Sequence, residues 1–272
     1  MNTKTKSPEE LKQTVKEKYG RISGQSKSKN EGSCCGADCG CDTVDYAVFA
    51  EDYSSVEGYN ENANLGLGCG LPTEYAHISK GDTVVDLGSG AGNDCFVARQ
   101  LTGSEGRVIG LDMTEEMIEK AQENAAKIGY ENVEFVLGDI EKMPFENNTA
   151  DVVVSNCVLN LVPDKPKAFA EIYRIIKPGG HFSISDVVTS GALPQSIKED
   201  AEMYAGCVSG AVNRNKYVDI VKKAGFKNLK IQKDKRVELP EKMLSNYLSD
   251  KEIKKFQASN TGIFSITLYA EK

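Results

Sequence analysis

The chain has 272 residues, 40% of them apolar and 27% charged, with 40 acidic against 33 basic side chains and a formal charge of −7. Such a composition supports a folded core, and its acidic balance argues against a general affinity for nucleic acid or an anionic membrane surface. No apolar run approaches the ~18–20 residues that span a bilayer, and the opening MNTKTKSPEE has no apolar stretch of a secretory kind, so a cytoplasmic protein is expected.

Ser7-Pro8-Glu9-Glu10 reads as a helix start, with Ser7 as cap and Glu10 reaching back, and a helix is predicted to about Tyr19. From Gly20 to Asp42 the chain is rich in Gly, Ser and Lys and ends in a run holding Cys34, Cys35, Cys39 and Cys41, which reads as a flexible arm. From about Gly81 strands and helices alternate. Strands are predicted at Thr83–Leu87, Arg107–Leu111, Val133–Leu137, Asp151–Ser155 and His181–Ser185. Helices are predicted at Asn93–Leu101, at Glu115–Ile128 between Thr114 and Gly129, and at Lys165–Ile176 before Lys177-Pro178-Gly179-Gly180. This alternation implies an α/β, Rossmann-like parallel sheet with helices on both faces. Further helices are expected near Gln195–Ala205, Asn215–Ala224 and Glu241–Leu248, with a late strand at Gly262–Ala270 on the sheet edge. Three regions follow: an N-terminal helix and arm over 1–57, a ligand-binding domain over 58–190, and a small α+β region over 191–272.

The first predicted strand runs into Gly88-Ser89-Gly90-Ala91-Gly92 and then a helix. Ligands of such sheets sit beyond the carboxyl ends of the strands, and glycines let the backbone approach them. A dinucleotide fingerprint requires glycine at position 93, where Asn93 stands. Asp86, two residues before the first glycine, sits badly beside a pyrophosphate and suits the ammonium and sulfonium of S-adenosylmethionine. Asp112 ends the second strand, where a carboxylate binds ribose hydroxyls, and Met113 offers a soft face to adenine. Asp139 and Ile140 follow the third strand, and Asn156 the fourth. These residues, over Gly58–Val188 and with GDIEKMPF and EIYRIIKPGG, resemble the class I S-adenosylmethionine-dependent methyltransferases. The resemblance implies a seven-stranded sheet, Asp112 on the ribose and Asp139 near the adenine N6.

The acceptor is a separate question. With two histidines in no metal-binding spacing, a histidine-based zinc hydrolase is excluded, and soft-metal or metalloid chemistry must run through the 8 cysteines. Cys95 reads as a core residue. Cys69 precedes the first strand, Cys157 follows the fourth, and Cys207 lies in the C-terminal region, both Cys69 and Cys207 beside glycine. Three thiolates select a soft, three-coordinate acceptor, and trivalent arsenic keeps a lone pair that can attack a sulfonium methyl.

Gly68-Cys69-Gly70, SNCVLNLVPDK at Ser155–Lys165, SDVV at Ser185–Val188 and Ala205-Gly206-Cys207 are similar to the arsenite methyltransferases. That resemblance implies methylation of arsenite and methylarsenite for detoxification, with Cys69, Cys157 and Cys207 as arsenic ligands. It also implies one functional cysteine upstream of Cys69, a role that four arm cysteines offer, Cys35 and Cys41 foremost. Pairing of that cysteine with Cys69 during turnover, and its reset by a glutathione- or thioredoxin-type thiol, are implied with it. Two other readings of the arm stand beside this one, a zinc or copper(I) site and a plain tail. For the whole chain the alternatives are a small-molecule C- or O-methyltransferase of the quinone-biosynthesis type and a thiol-rich metalloid sensor. A monomer is expected.

Overall fold

The computed structural model describes residues 7–25, 51–191, 210–237, 241–259 and 261–272. Elements are numbered within these residues. Seven strands form one sheet: β1 (Thr83–Leu87), β2 (Arg107–Asp112), β3 (Val133–Leu137), β4 (Ala150–Asn156), β5 (Ile176–Ser190), β6 (Lys227–Val237) and β7 (Gly262–Glu271), in the order β3-β2-β1-β4-β5-β7-β6. The pairs from β3 through β5 are parallel, whereas β7 runs antiparallel between β5 and β6. Strand order reverses between β1 and β4, and a crevice opens there at the carboxyl ends of the strands.

Alternation along each strand builds the two covered faces. Val84, Val108 and Val152 pack under α1 (Pro8–Ser23), α2 (Asn93–Thr102) and α3 (Glu115–Ile128). Their neighbours Val85, Ile109 and Val153 pack under α4 (Lys165–Ile175) and α5 (Arg214–Lys223), against Phe169, Ile172, Tyr217 and Val221. Two further helices, α6 (Glu241–Leu244) and α7 (Asp250–Ala258), precede β7. Among the described residues no helix is long and apolar enough to cross a membrane.

The expected strands β1 and β3 have the predicted bounds, and the capping box at Ser7 and Glu10 forms. Several expectations are corrected. The late strand is not at the edge: β7 is interior, and the edge is β6, a lysine-rich strand absent from the sequence reading. Lysines on an edge strand deter pairing with other chains, which is also why its apolar signal is weak. Strand β5 begins at Ile176 and carries Lys177–Gly180 inside it, with an irregular register against β4, so the turn expected there is absorbed by the strand. The Thr114 side chain makes no cap bond to α3; its N–H instead donates to Asp112 Oδ1 at 2.9 Å. The helix expected over Glu241–Leu248 ends at Leu244, and α7 follows as a second helix begun by Ser249 and Glu252. The helix expected at Gln195–Ala205 lies outside the described residues.

Helix α1 is not a free N-terminal appendage. Val15 and Ile22 are buried, and Lys12 Nζ lies 2.7 Å from both Asp139 Oδ2 and Glu141 Oε2. Lys120, on α3, donates to Ser23 O at the other end of α1. The helix therefore lies over the carboxyl end of β3.

Candidate active site

The crevice is a cleft with an empty volume of about 1110 Å³, bordered by the turn after β1, the ends of β2, β3 and β4, and α1. Its floor is the glycine turn. Gly88 has φ +69, and a Cβ there would lie 2.4 Å from Val158 Cγ2, so a larger residue is excluded on both counts. Gly88 and Ser89 N–H both donate to Leu111 O, tying the turn to β2.

The three strand-end acids behave differently. Asp86 is buried, and burial pushes its carboxyl well above the usual range, with the charge of Asp94 adding to the effect. Cys95 Sγ donates to Asp86 Oδ2 at 3.3 Å, so Cys95 is a core residue that also supports an acid. Asp94, the second residue of α2, is pushed up to about 6 by burial, against the lowering effect of donors from Asn156 and Tyr53. Asp112 Oδ2 accepts from Gly90 N–H at 3.0 Å and Oδ1 from Thr114 N–H, which aims the carboxylate along the cleft wall. Burial raises its pKa, and these backbone donors oppose the rise. Asp139 is held by Lys12 and by Glu141 N–H.

Buried carboxylates at one end of a cleft favour a cationic ligand group, because a counter-charge offsets the cost of burial. Two residues lining the cleft, Asn64 and Ser89, each carry a buried side-chain atom, Nδ2 and Oγ, without a hydrogen-bond partner in the protein. The residues present thus fit S-adenosylmethionine: an acid pair for its ammonium, Asp112 for its ribose, and an apolar-flanked end at Met113 and Ile140 for its base.

Cys69 and Cys157 belong to one buried apolar cluster with Val15, Leu161 and Val187, and Cys157 lines the cleft. Asn156 brings them together. Its Oδ1 accepts from Cys69 N–H at 2.9 Å and from Gly70 N–H at 3.2 Å. Its Nδ2 lies 2.7 Å from Tyr53 Oη, 2.9 Å from Gly70 O and 3.1 Å from Asp94 Oδ2. A Cβ on Gly68 would meet Asn156 Nδ2 at 2.6 Å, so the glycine before Cys69 lets the loop close on this side chain. Cys157 is held with φ +61, a left-handed conformation costly for a residue with a side chain, while its N–H donates to Ser185 O. Cys207 and the arm cysteines Cys34, Cys35, Cys39 and Cys41 lie outside the described residues.

The sequence matches a family described as "Methyltransferase domain" over residues 78–241. It is 40% identical to an arsenite methyltransferase from Halobacterium salinarum over 94% of this chain and 66% of that protein. To an arsenite methyltransferase from Aquipseudomonas alcaligenes it is 31% identical, over 88% of this chain and 69% of that one. The chain belongs to the arsenite methyltransferase family. It spans about two thirds of the length of these relatives. Its fold is similar to the crystal structure of an arsenic (III) S-adenosylmethionine methyltransferase from Chlamydomonas reinhardtii, with 32% identity, a TM-score of 0.64, and coverage of 75% of this chain and 67% of that one.

In this member of the arsenite methyltransferase family, four residues of the site escaped sequence reasoning: Lys12, Tyr53, Asn64 and Asp94. Asp94 carried a signal, as an acid one position inside the helix that follows a glycine turn. Tyr53 and Lys12 carried none, since their partners lie 41 and 127 positions away. The sequence places Asn156 at the cofactor; the structure shows it seating the Cys69 loop while also lining the cleft.

Proposed function

We propose that the chain transfers methyl groups from S-adenosylmethionine to trivalent arsenic held by Cys69, Cys157 and Cys207. The observation that carries this reading is the seating of the Cys69 loop on Asn156, next to Cys157, beside a cleft whose acids suit a cationic donor. A quinone-type methyltransferase has no use for such a thiol pair.

Asp112 holds the ribose, Asp139 and Ile140 border the base, with Met113 against it, and Asp86 and Asp94 face the ammonium. S-adenosylmethionine supplies an electrophilic methyl on a sulfonium. Thiolate ligation aims the arsenic lone pair into the cleft, and holding it about 3–3.5 Å from the methyl carbon removes much of the entropic barrier. The lone pair forms the As–C bond while the C–S pair returns to sulfur, so no proton has to be removed from arsenic. Arsenic is thereby formally oxidised by two electrons. Two thiols closing a disulfide return those electrons, and we assign that step to Cys69 with an arm cysteine, Cys35 or Cys41, reset by a glutathione- or thioredoxin-type thiol.

Turnover of S-adenosylmethionine to S-adenosylhomocysteine with and without arsenite tests the reading. Arsenite-dependent turnover is expected. Equal turnover without arsenite, or with a quinone precursor alone, contradicts it.

A further inference from the structure

Tyr53 is buried and borders the cleft, and the proposed reaction gives it no part. Its Oη lies 2.8 Å from Asp94 Oδ1 and 3.0 Å from Gly70 O, and it accepts from Asn156 Nδ2 at 2.7 Å. Burial, then the charges of Asp94, Asp86 and Cys69, push the hydroxyl well above its usual pKa, so it remains a donor. A hydroxyl has one hydrogen, and here two acceptors compete for it. One is an acid of the donor cleft; the other is the carbonyl of the residue after Cys69.

Asn156 Nδ2 adds two hydrogens, within reach of Tyr53 Oη, Gly70 O and Asp94 Oδ2. Three hydrogens therefore serve four acceptors, namely Tyr53 Oη, Gly70 O and the two oxygens of Asp94. One acceptor goes short in every arrangement, and charge decides which. Asp94, raised to about 6, is ionised at neutral pH. Without a counter-charge its carboxylate holds the hydrogens of Tyr53 and Asn156, because bonds to a charged acceptor are the stronger ones, and Gly70 O goes short. An ammonium at Asp94 offsets that charge and brings hydrogens of its own. The Tyr53 hydroxyl is then free to turn to Gly70 O, which fixes the turn carrying Cys69.

We propose that Tyr53 is a positioning residue that couples the two substrates: a donor bound at Asp94 releases the Tyr53 hydroxyl to Gly70 O, and this sets the Cys69 loop for arsenic. The coupling rests on the proposed function above, with the donor's ammonium at Asp86 and Asp94. A loop already set leaves less ordering for arsenic to drive, so arsenic binds more tightly beside the donor. By linkage, arsenic tightens the donor by the same factor.

The test is calorimetric titration of S-adenosylhomocysteine into the reduced full chain, with and without saturating arsenite. This ligand carries the ammonium but no methyl to transfer, so no turnover intervenes. In the wild type, arsenite should tighten its binding about fivefold, the factor carried by one neutral hydrogen bond. In Tyr53→Phe, which keeps the ring and removes the hydroxyl, arsenite should change the affinity by less than about twofold. A residue with only a structural role weakens the ligand equally in both titrations and leaves the fivefold ratio intact, and that outcome overturns the proposal. If Tyr53→Phe does not fold, Asp94→Asn, which removes the charge and keeps the size, should lose the ratio in the same way, and a ratio retained there overturns the proposal. A wild type whose S-adenosylmethionine turnover depends on arsenite, but whose affinity for S-adenosylhomocysteine ignores arsenite, overturns the coupling alone. Turnover independent of arsenite, or no binding of S-adenosylhomocysteine, overturns the proposed function and the coupling with it.

Discussion

Asn156 accepts the Cys69 N–H at 2.9 Å through one amide atom and reaches Asp94 Oδ2 at 3.1 Å through the other. One side chain thus bridges the thiol loop and an acid of the donor cleft. Two hydrogens on Nδ2 are shared among Tyr53 Oη, Gly70 O and Asp94, and all of these groups are buried or half-buried. Asn156→Ala should leave the Cys69 and Gly70 N–H groups and the Asp94 carboxylate short of partners. A stability loss of about 1–3 kcal/mol is expected for a buried polar group left unsatisfied. Arsenite methylation should fall more than donor binding, because the Cys69 loop loses its seat while Asp112 and the glycine turn are untouched. Thermal unfolding together with titration of S-adenosylhomocysteine measures both. A fall in donor affinity as large as the fall in turnover would remove the loop-seating role.

Cys69 and Cys157 sit in one apolar cluster, so a hydroxyl replacing either thiol changes ligand chemistry with little change in volume. Hydroxyl is a poor ligand for a soft centre. Cys69→Ser and Cys157→Ser should each reduce arsenite methylation by roughly 10²-fold or more, the effect expected when a reacting atom is mispositioned. Binding of S-adenosylhomocysteine should persist in both. Wild-type rates in either variant would break the thiolate site.

The strand core of the fold was legible because Val84-Val85-Asp86-Leu87 and its parallels alternate between two helix-covered faces and end in glycine or acid. Edge strand β6 was not legible, since Lys227, Lys230, Lys233 and Lys235 give it the surface of a solvated loop. Asp86, Asp112 and Cys157 could be placed from the strand ends alone. The second layer could not. Tyr53 meets Asp94 only after the chain has folded back, and Lys12 reaches Asp139 from a helix whose own pattern reads as an ordinary amphipathic surface.

Asp186, on β5, gives the protein a pH signature. Burial pushes its carboxyl from 3.8 up to about 7, against the lowering influence of the Lys165 charge and the Tyr217 hydroxyl, which donates at 2.9 Å. Between those values the folded chain keeps a proton that the unfolded chain has released. By linkage, this group's contribution to stability therefore declines as pH rises from about 4 to about 7, then levels off. Asp94, raised to about 6, contributes with the same sign, while Glu171, lowered by its Arg174 partner, contributes with the opposite sign. Asp186→Asn stays neutral throughout. The difference in unfolding midpoint between the wild type and this variant should accordingly change across pH 4–7 and be constant above it. A constant difference across the whole range would show that Asp186 ionises normally in the fold.

Thiol–disulfide exchange requires an attacking thiol, and the sequence upstream of Cys69 supplies Cys34, Cys35, Cys39 and Cys41. Cys69 itself is buried, and its backbone is pinned by Asn156 N–H acceptance on one side and by Ser265 Oγ donating to its carbonyl on the other. On the proposed function, Cys69 as an arsenic-bound thiolate and an arm thiol closing on it form a reducing pair: the As–S electron pair passes to arsenic, and the arm thiol gives up its one proton as the disulfide forms. Replacing all four arm cysteines with serine should then abolish multiple turnovers of arsenite while leaving methylarsenite, which needs fewer thiol contacts, a substrate. Peptide mass mapping of the wild type after one turnover without reductant should find Cys69 joined to the arm, with Cys35 or Cys41 as the partner. Cys69 found as a free thiol in that experiment, with full arsenite turnover in the four-serine variant, would leave the arm with no part in the chemistry.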